Sequence, residues 1–200
     1  MGRRSDHSRK ELKELAIKKG SEIIELSGLQ SLSARKVATE IGYTVGTLYN
    51  IFSNFDDFLL HINASTLDDM AIFIEGEIKR KKASNKTGKN GILVLAHIYR
   101  DYAEKNKNRW AAVFGHSFPD EMPIPDWYNE KVEGLFSLVE GMLAGAVSDK
   151  KIHLTARALW AGIHGAVILG ITDKLRFVGE DGTEDYIDVL VENFFEGIKS

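Results

Sequence analysis

The sequence predicts an all-α fold of about nine helices, an N-terminal three-helix unit followed by a larger helical domain. Three observations lead to it. Proline occurs only at Pro119, Pro123 and Pro125, so the rest of the chain lacks the residue that breaks a helix outright. No stretch shows convincing period-two apolar alternation, the mark of a half-buried strand. Apolar residues instead return to one helical face in runs separated by polar or glycine-bearing breaks.

Taken in order, Ser8-Arg9-Lys10-Glu11 has capping-box spacing, and Leu12, Leu15, Ala16, Ile23 and Leu26 follow on one face until Gly28. The first helix is therefore expected over residues 8–27. A short helix is expected from Ser33 to Glu40, a break at Gly42, and a second short helix from Thr44 to Ile51. Asn54 is the next N-cap, with Asp56 and Asp57 suited to the positive end of a helix that runs to Lys82. Residues 81–91 are polar and offer no apolar face, so they read as a loop. Further helices are expected over 91–105 and 107–118, then, after the proline-bearing pause at 119–126, over 127–147, 151–177 and 183–198. The first three short elements form a compact unit only by packing on the start of the fourth helix. That places a functional boundary between residues 1–55 and 56–200, and no internal repeat is present.

Composition narrows the function. Without cysteine the chain holds no disulfide, zinc-thiolate site or thiol nucleophile. Met1 to Lys10 is polar and lacks the apolar stretch of a signal peptide. No later run reads as approaching the ~20 apolar residues of a membrane span, so a cytoplasmic protein with no membrane partner is expected. A net charge of −3 argues against non-specific coating of nucleic acid. Its distribution is uneven: residues 1–20 carry seven cations, Arg3, Arg4, Arg9, Lys10, Lys13, Lys18 and Lys19, against three acids. This basic end either faces phosphate or is a solvated surface.

Two short helices joined by a glycine-bearing turn are the geometry of a helix-turn-helix, whose second helix enters the major groove by its N-terminus. Val37, Ala38, Ile41, Val45 and Leu48 fit the interior of two crossed helices, and Gly42 sits where the chain reverses. Thr44 is placed as N-cap of the second helix. Val45, Gly46 and Thr47 then occupy its first turn, with side chains short enough to approach base edges. Arg35 and Lys36 lie in the first turn of the preceding helix, where the macrodipole disfavours cations unless an anion is close. A DNA phosphate supplies that anion; ordinary surface cations are the other reading.

The stretch Ala38-Thr39-Glu40-Ile41-Gly42-Tyr43-Thr44-Val45-Gly46-Thr47-Leu48-Tyr49-Asn50-Ile51-Phe52 resembles the N-terminal signature of TetR-family regulators over about fifty residues. Leu159-Trp160-Ala161-Gly162-Ile163-His164-Gly165 likewise resembles a Trp-x-x-x-His-Gly element found in the C-terminal domains of one TetR subgroup. The resemblance implies a homodimeric, ligand-responsive repressor that binds double-stranded operator DNA. It implies DNA contacts from Ser33 and Arg35 and, on the recognition helix, from Val45, Gly46, Thr47, Tyr49 and Asn50. Lys36 and Thr44 complete the expected set. Phosphate contacts would position the protein, and Arg35 and Asn50 are candidates for reading bases. Tyr49 also fits a small core with Phe52 and Phe58, and a tyrosine can bury its ring while exposing its hydroxyl. The chain departs from the family after Phe52, where a lysine commonly opens the next helix and Ser53-Asn54-Phe55-Asp56-Asp57 stands here. Weaker non-specific affinity is expected, offset by Arg3, Arg4, Arg9 or Lys10 reaching the adjacent groove or backbone.

In the larger domain, Ala156, Ala158, Ala161, Gly162, Gly165, Ala166 and Gly170 permit close helix approach, while Tyr186, Leu190, Phe194 and Phe195 supply bulk. Two copies about a two-fold axis make a four-helix interface and predict a palindromic operator. Burial of both helices inside one monomer is the alternative. The candidate interface residues are Ala158, Gly162, Gly165, Ala166, Leu190 and Phe194. Phe73, Trp110, Phe114, Phe118, Trp127 and His164 are candidates for the lining of an effector pocket, the effector being a largely apolar small molecule; plain core is the competing reading for each aromatic. His97, His116, His153 and His164 form no i, i+3 or i, i+4 pair, so no metal and no cofactor are expected. His153 and His164, eleven residues apart, can share a face, as structural groups or as ligand contacts.

Two other classes of function remain. An enzyme is motivated only by scattered histidines and carboxylates, and no phosphate loop, nucleophile elbow or metal motif supports it. A DNA-binding module without an effector would have a filled C-terminal core in place of a cavity.

Overall fold

The computed structural model describes residues 7–83, 86–119, 123–179 and 181–199. Among them lie nine α-helices: α1 (Arg9–Ser27), α2 (Ala34–Glu40), α3 (Val45–Tyr49), α4 (Phe55–Arg80), α5 (Gly88–Lys105), α6 (Lys107–Gly115), α7 (Asp126–Leu143), α8 (Asp149–Ile171) and α9 (Thr183–Lys199). Single 3-10 turns stand at Leu29–Ser31 and Leu175–Phe177. This is the all-α architecture that the sequence predicts.

The helix starts follow from local hydrogen bonding. Ser8 Oγ accepts from the Glu11 amide at 3.3 Å while the Glu11 carboxylate accepts from the Ser8 amide at 2.7 Å, a complete capping box. At α4 the Asn54 side chain accepts from the Asp57 amide and the Asp57 carboxylate accepts from the Ser53 amide, both at 2.8 Å.

Three helix ends differ from the expectation. α6 stops at Gly115 rather than 118. α7 stops at Leu143 rather than 147, ahead of Gly145, whose φ of 79° leaves the helical region. α8 ends at Ile171 rather than 177, because Thr172 Oγ1 donates to the Ile168 carbonyl at 2.6 Å and Asp173 turns left-handed at φ 58°. Leu175–Phe177, apolar enough to read as more helix, is a separate 3-10 turn.

A further correction concerns α8. Its 23 residues reach a mean hydropathy of 1.4 and are, by length and composition, long and apolar enough to cross a membrane. The expectation that no run approaches that length fails because Arg157 is the only charged residue between 154 and 171.

The chain packs as two units. The first draws on residues up to Asp68 and on Asn106–Tyr128. Its core joins Ala16, Ile23, Ile24, Val37, Leu48, Phe52, Phe58, Leu59, Ile62 and Ala112, all buried. α6 lies against α1, and Asn108 Nδ2 donates to the Glu25 carbonyl at 2.8 Å. Gly20 allows the close crossing of α1 and α4, since a Cβ there would collide with Ile62 and lie 3.0 Å from Phe58.

The second unit draws on Asp69–Lys105 and on the chain from Asn129. In it α5, α8 and α9 pack on one another around Ile92, Ile98, Leu159, Val167, Ile187 and Val191. Gly162 faces Leu190, whose Cδ2 would stand 2.9 Å from an added Cβ. Lys89 pairs with Glu192 at 3.1 Å and Arg100 with Glu184 at 2.9 Å, linking α5 to α9. Arg157 of α8 holds Glu133 and Glu140 of α7 at 2.6 and 3.3 Å.

Candidate nucleic-acid interface

Ser33 caps α2 with its side chain, accepting from the Lys36 amide at 3.2 Å, and Thr44 caps α3 in the same way, accepting from Thr47 at 3.3 Å. Gly42, at φ 77°, supplies the left-handed residue that the reversal between the two helices requires. Val37, Ala38 and Leu48 are buried beneath, which fixes the two helices against each other and against α1.

This packing leaves the other side uncovered. Ser33, Arg35, Lys36, Thr44, Gly46, Tyr49 and Asn50 are exposed, and Val45 and Thr47 are half-buried. All nine residues of the expected contact set thus lie on two consecutive short elements of one unit. Tyr49 is 44% exposed and Phe52 fully buried, so the small aromatic core consists of Phe52 and Phe58, with ring centroids 4.8 Å apart. No carboxylate pairs with Arg35 or Lys36 among the described residues, although α2 has no acidic residue in its first turn to offset them.

Sequence reasoning missed how the motif is braced. Arg9 Nη2 donates to the Asn50 carbonyl at 3.1 Å, and His7 Nδ1 lies 2.9 Å from the Tyr43 hydroxyl. The start of α1 and the residue just before its N-cap therefore touch the end of α3 and the turn of the motif. Arg3 and Arg4 lie outside the described residues. Behind the motif, His116 Nε2 bonds Asp56 at 2.7 Å, and His61 stacks on Trp127 at 4.5 Å. Burial, then the charge of Lys13, hold the His61 imidazole below its ordinary value against the opposing pull of Asp57. The two carboxylates that stand where the family commonly has a lysine are thus engaged, Asp56 with His116 and Asp57 with the Ser53 amide.

The candidate pocket residues fall in both units. Trp110 is 1% exposed, lies 5.1 Å from Phe114 and belongs to the first unit, as do Phe118 and Trp127. Phe73 and His164 belong to the second, Phe73 beside Tyr102 at 5.5 Å. His164 sits in an aromatic cluster: its Nδ1 is 2.8 Å from the Tyr99 hydroxyl, its ring is 4.9 Å from Trp160, and Trp160 is 5.6 Å from Phe136. Among the candidate interface residues, Ala158 is exposed, Gly165 has open space beside it, and Ala166 and Phe194 are half-buried. Gly162 and Leu190 meet within the chain. Tyr186, Val189, Leu190 and Phe194 line an open groove of about 780 Å³ on α9.

A family model described as "Tetracyclin repressor-like, C-terminal domain" matches residues 92–194. An uncharacterized HTH-type transcriptional regulator of Mycobacterium tuberculosis is 21% identical over 79% of this chain and 69% of its own. Among solved structures, a protein of unknown function from Rhodococcus sp. RHA1 aligns over 98% of both chains with a TM-score of 0.72 and 16% identity. The transcriptional regulator FadR from Bacillus subtilis, in complex with stearoyl-CoA, aligns over 92% of this chain and 98% of its own, with a TM-score of 0.58 and 18% identity.

Proposed function

The chain belongs to the tetracyclin repressor-like family of HTH-type transcriptional regulators, and from that premise we propose that it is a ligand-responsive repressor that binds a palindromic operator as a homodimer. Residues 1–55 are the DNA-binding part, and residues 56–200 sense the effector and dimerise. It works in the cytoplasm.

One observation carries the DNA-binding assignment to residues: Arg35, Lys36, Thr44, Gly46, Tyr49 and Asn50 are exposed together while Val37, Leu48 and Phe52 beneath them are buried. Arg35 and Lys36, without carboxylate partners among the described residues, are free to meet phosphate, and Arg35 also to reach a base edge. Asn50 and the short side chains of α3 meet base edges.

Dimerisation through α8 and α9 is supported by apolar surface that one chain leaves uncovered. Leu154 is 75% exposed and Val189 57%, and the groove on α9 is lined mainly by apolar side chains. A second copy of the same helices covers such a face about a two-fold axis.

The effector is a largely apolar small molecule that engages the second unit at His164, Tyr99, Trp160 and Phe136. A cluster rich in aromatic faces with few polar atoms suits such a ligand, and the acyl chain of the stearoyl-CoA bound by FadR, a protein of similar fold, is an apolar group of that kind.

The test is selection of bound sequences from a random duplex pool at two salt concentrations. Enrichment of a palindrome, with affinity falling steeply as salt rises, is the expected result. No enrichment at either salt would remove the operator-binding reading.

A further inference from the structure

We infer that His97 of α5 with Glu184 and Asp188 of α9 forms a binding site for one divalent transition-metal ion of the zinc class. This goes beyond the regulator reading and does not depend on it. One donor atom from each residue lies within 4.8 Å of the other two. Glu184 and Asp188 are an i, i+4 pair on one face of α9, the spacing by which two helical side chains reach one ion. Donors bound to zinc at about 2.1 Å stand roughly 3 to 3.5 Å apart. Glu184, whose side chain is 61% exposed, has room to turn toward the other two on leaving Arg100.

The contact between His97 and Asp188 separates this cluster from an ordinary ion pair. His116–Asp56 and His153–Glu140 approach at 2.7 Å, and both contacts are hydrogen bonds. His97 Nε2 approaches Asp188 Oδ1 at 2.9 Å, yet that buried oxygen has no hydrogen-bond partner among the described residues. A nitrogen and an oxygen that converge at 2.9 Å out of hydrogen-bond alignment are placed as two ligands of one cation would be. Adjacent ligand atoms of a zinc-class ion stand at about this distance or slightly more.

Charge points the same way. Arg100 lies 2.9 Å from Glu184, but it is also held by Asp101 at 2.7 Å. Glu184 therefore shares its guanidinium with Asp101, and Asp188 faces only the imidazole, leaving excess negative charge that a divalent cation neutralises. One nitrogen and two oxygens suit zinc, cobalt(II) or nickel(II), with water in the remaining positions. The flanking Lys89–Glu192 pair lies on the same two helices and provides an internal control. Bound metal would tie α5 to α9.

The experiment uses the full chain, stripped with chelator and titrated with Zn2+ by calorimetry and with Co2+ by visible absorption. His97→Gln, Asp188→Asn and Glu184→Gln are compared with wild type and with Lys89→Gln, all checked for helical content by circular dichroism. Wild type and Lys89→Gln are expected to bind one Zn2+ per chain and to give cobalt ligand-field bands. The ligand variants are expected to lose at least about tenfold in affinity, and the bands with it. Because the Glu184 side chain is exposed, Glu184→Gln remains informative if a variant at His97 or Asp188 misfolds. No binding by wild type overturns the site, as does equal binding by all five proteins, which would be an adventitious ion on other histidines.

Discussion

The guanidinium of Arg9 donates to the backbone carbonyl of Asn50 at 3.1 Å, so the first turn of α1 holds the C-terminal end of α3. A cation placed at a helix C-terminus also complements the partial negative charge there. Arg9 thus has a structural partner, and on the proposed DNA-binding reading its contribution is to steady the helix end at Tyr49 and Asn50. Arg9→Ala is expected to weaken duplex binding roughly fivefold on all sequences, the effect of one exposed charge-assisted contact. Fluorescence anisotropy with specific and scrambled duplexes checks this, and a loss confined to the operator would contradict it.

On the proposed DNA-binding face, the adjacent Tyr49 and Asn50 are expected to take different parts. Tyr49→Phe removes a single hydroxyl from an exposed ring and should weaken binding evenly across sequences. Asn50→Ala should cost about 1–3 kcal/mol on the preferred site and relax preference at particular positions. Repeating the duplex selection with each variant separates the two, and an Asn50→Ala pool with unchanged preferences would remove it from base reading.

Two glycines predict opposite shifts in stability. Gly20→Ala forces a methyl group against Ile62 and Phe58 in the buried core of the first unit, and is expected to cost about 1–3 kcal/mol in urea unfolding. Gly134 lies within α7 with nothing inside 4 Å of its added Cβ. Gly134→Ala should therefore stabilise by about 0.5–1 kcal/mol through helix propensity.

Val189 is 57% exposed on the α9 groove, so a charge there leaves the packing of a single chain intact. Val189→Glu is expected to shift sedimentation from dimer to monomer and to lower operator affinity by at least about tenfold, because two half-sites are then bound independently. A variant that stays dimeric would move the interface elsewhere.

His164 is held below its ordinary value of 6.5 by burial. The unfolded chain therefore takes up this proton first as the pH falls. The stability it contributes is full above about pH 6.5 and is lost as the pH drops toward the folded value. The difference in Tm between wild type and His164→Gln should accordingly shrink between about pH 7.5 and 5.5. His61 is shifted in the same direction in both proteins, so the comparison isolates His164.

The helix-turn-helix was readable because its determinants are local. Ser33, Thr44 and Asn54 are caps, Gly42 is a turn residue, and the signal of each lies within four residues of the bond it makes. The end of α8 was not readable, because Leu175–Phe177 continues the apolar pattern and only the Thr172 back-bond and the left-handed Asp173 stop the helix. Pairings distant in sequence were hidden for a different reason. Arg9 reaches Asn50, and His97 reaches Asp188, through the packing of helices whose neighbours no periodicity specifies. A search for histidine pairs also passes over one histidine facing two carboxylates on another helix. The aromatics of the middle helices likewise carried no mark of the unit each would join: Trp110 and Trp127 went to the first, Phe73 and His164 to the second.

α3 buries a single side chain, Leu48, among its five residues. The positions proposed to read the operator are thus almost disjoint from those that hold the fold. Substitutions at Gly46, Thr47, Tyr49 and Asn50 can accumulate with little effect on Val37, Leu48 and Phe52, whereas Val45 packs partly against that core. Repressor and operator can then diverge together in small steps after gene duplication, each intermediate still folded. The same independence makes these four positions a compact library for retargeting the protein to a chosen palindrome, with the remainder of the chain left as a fixed chassis.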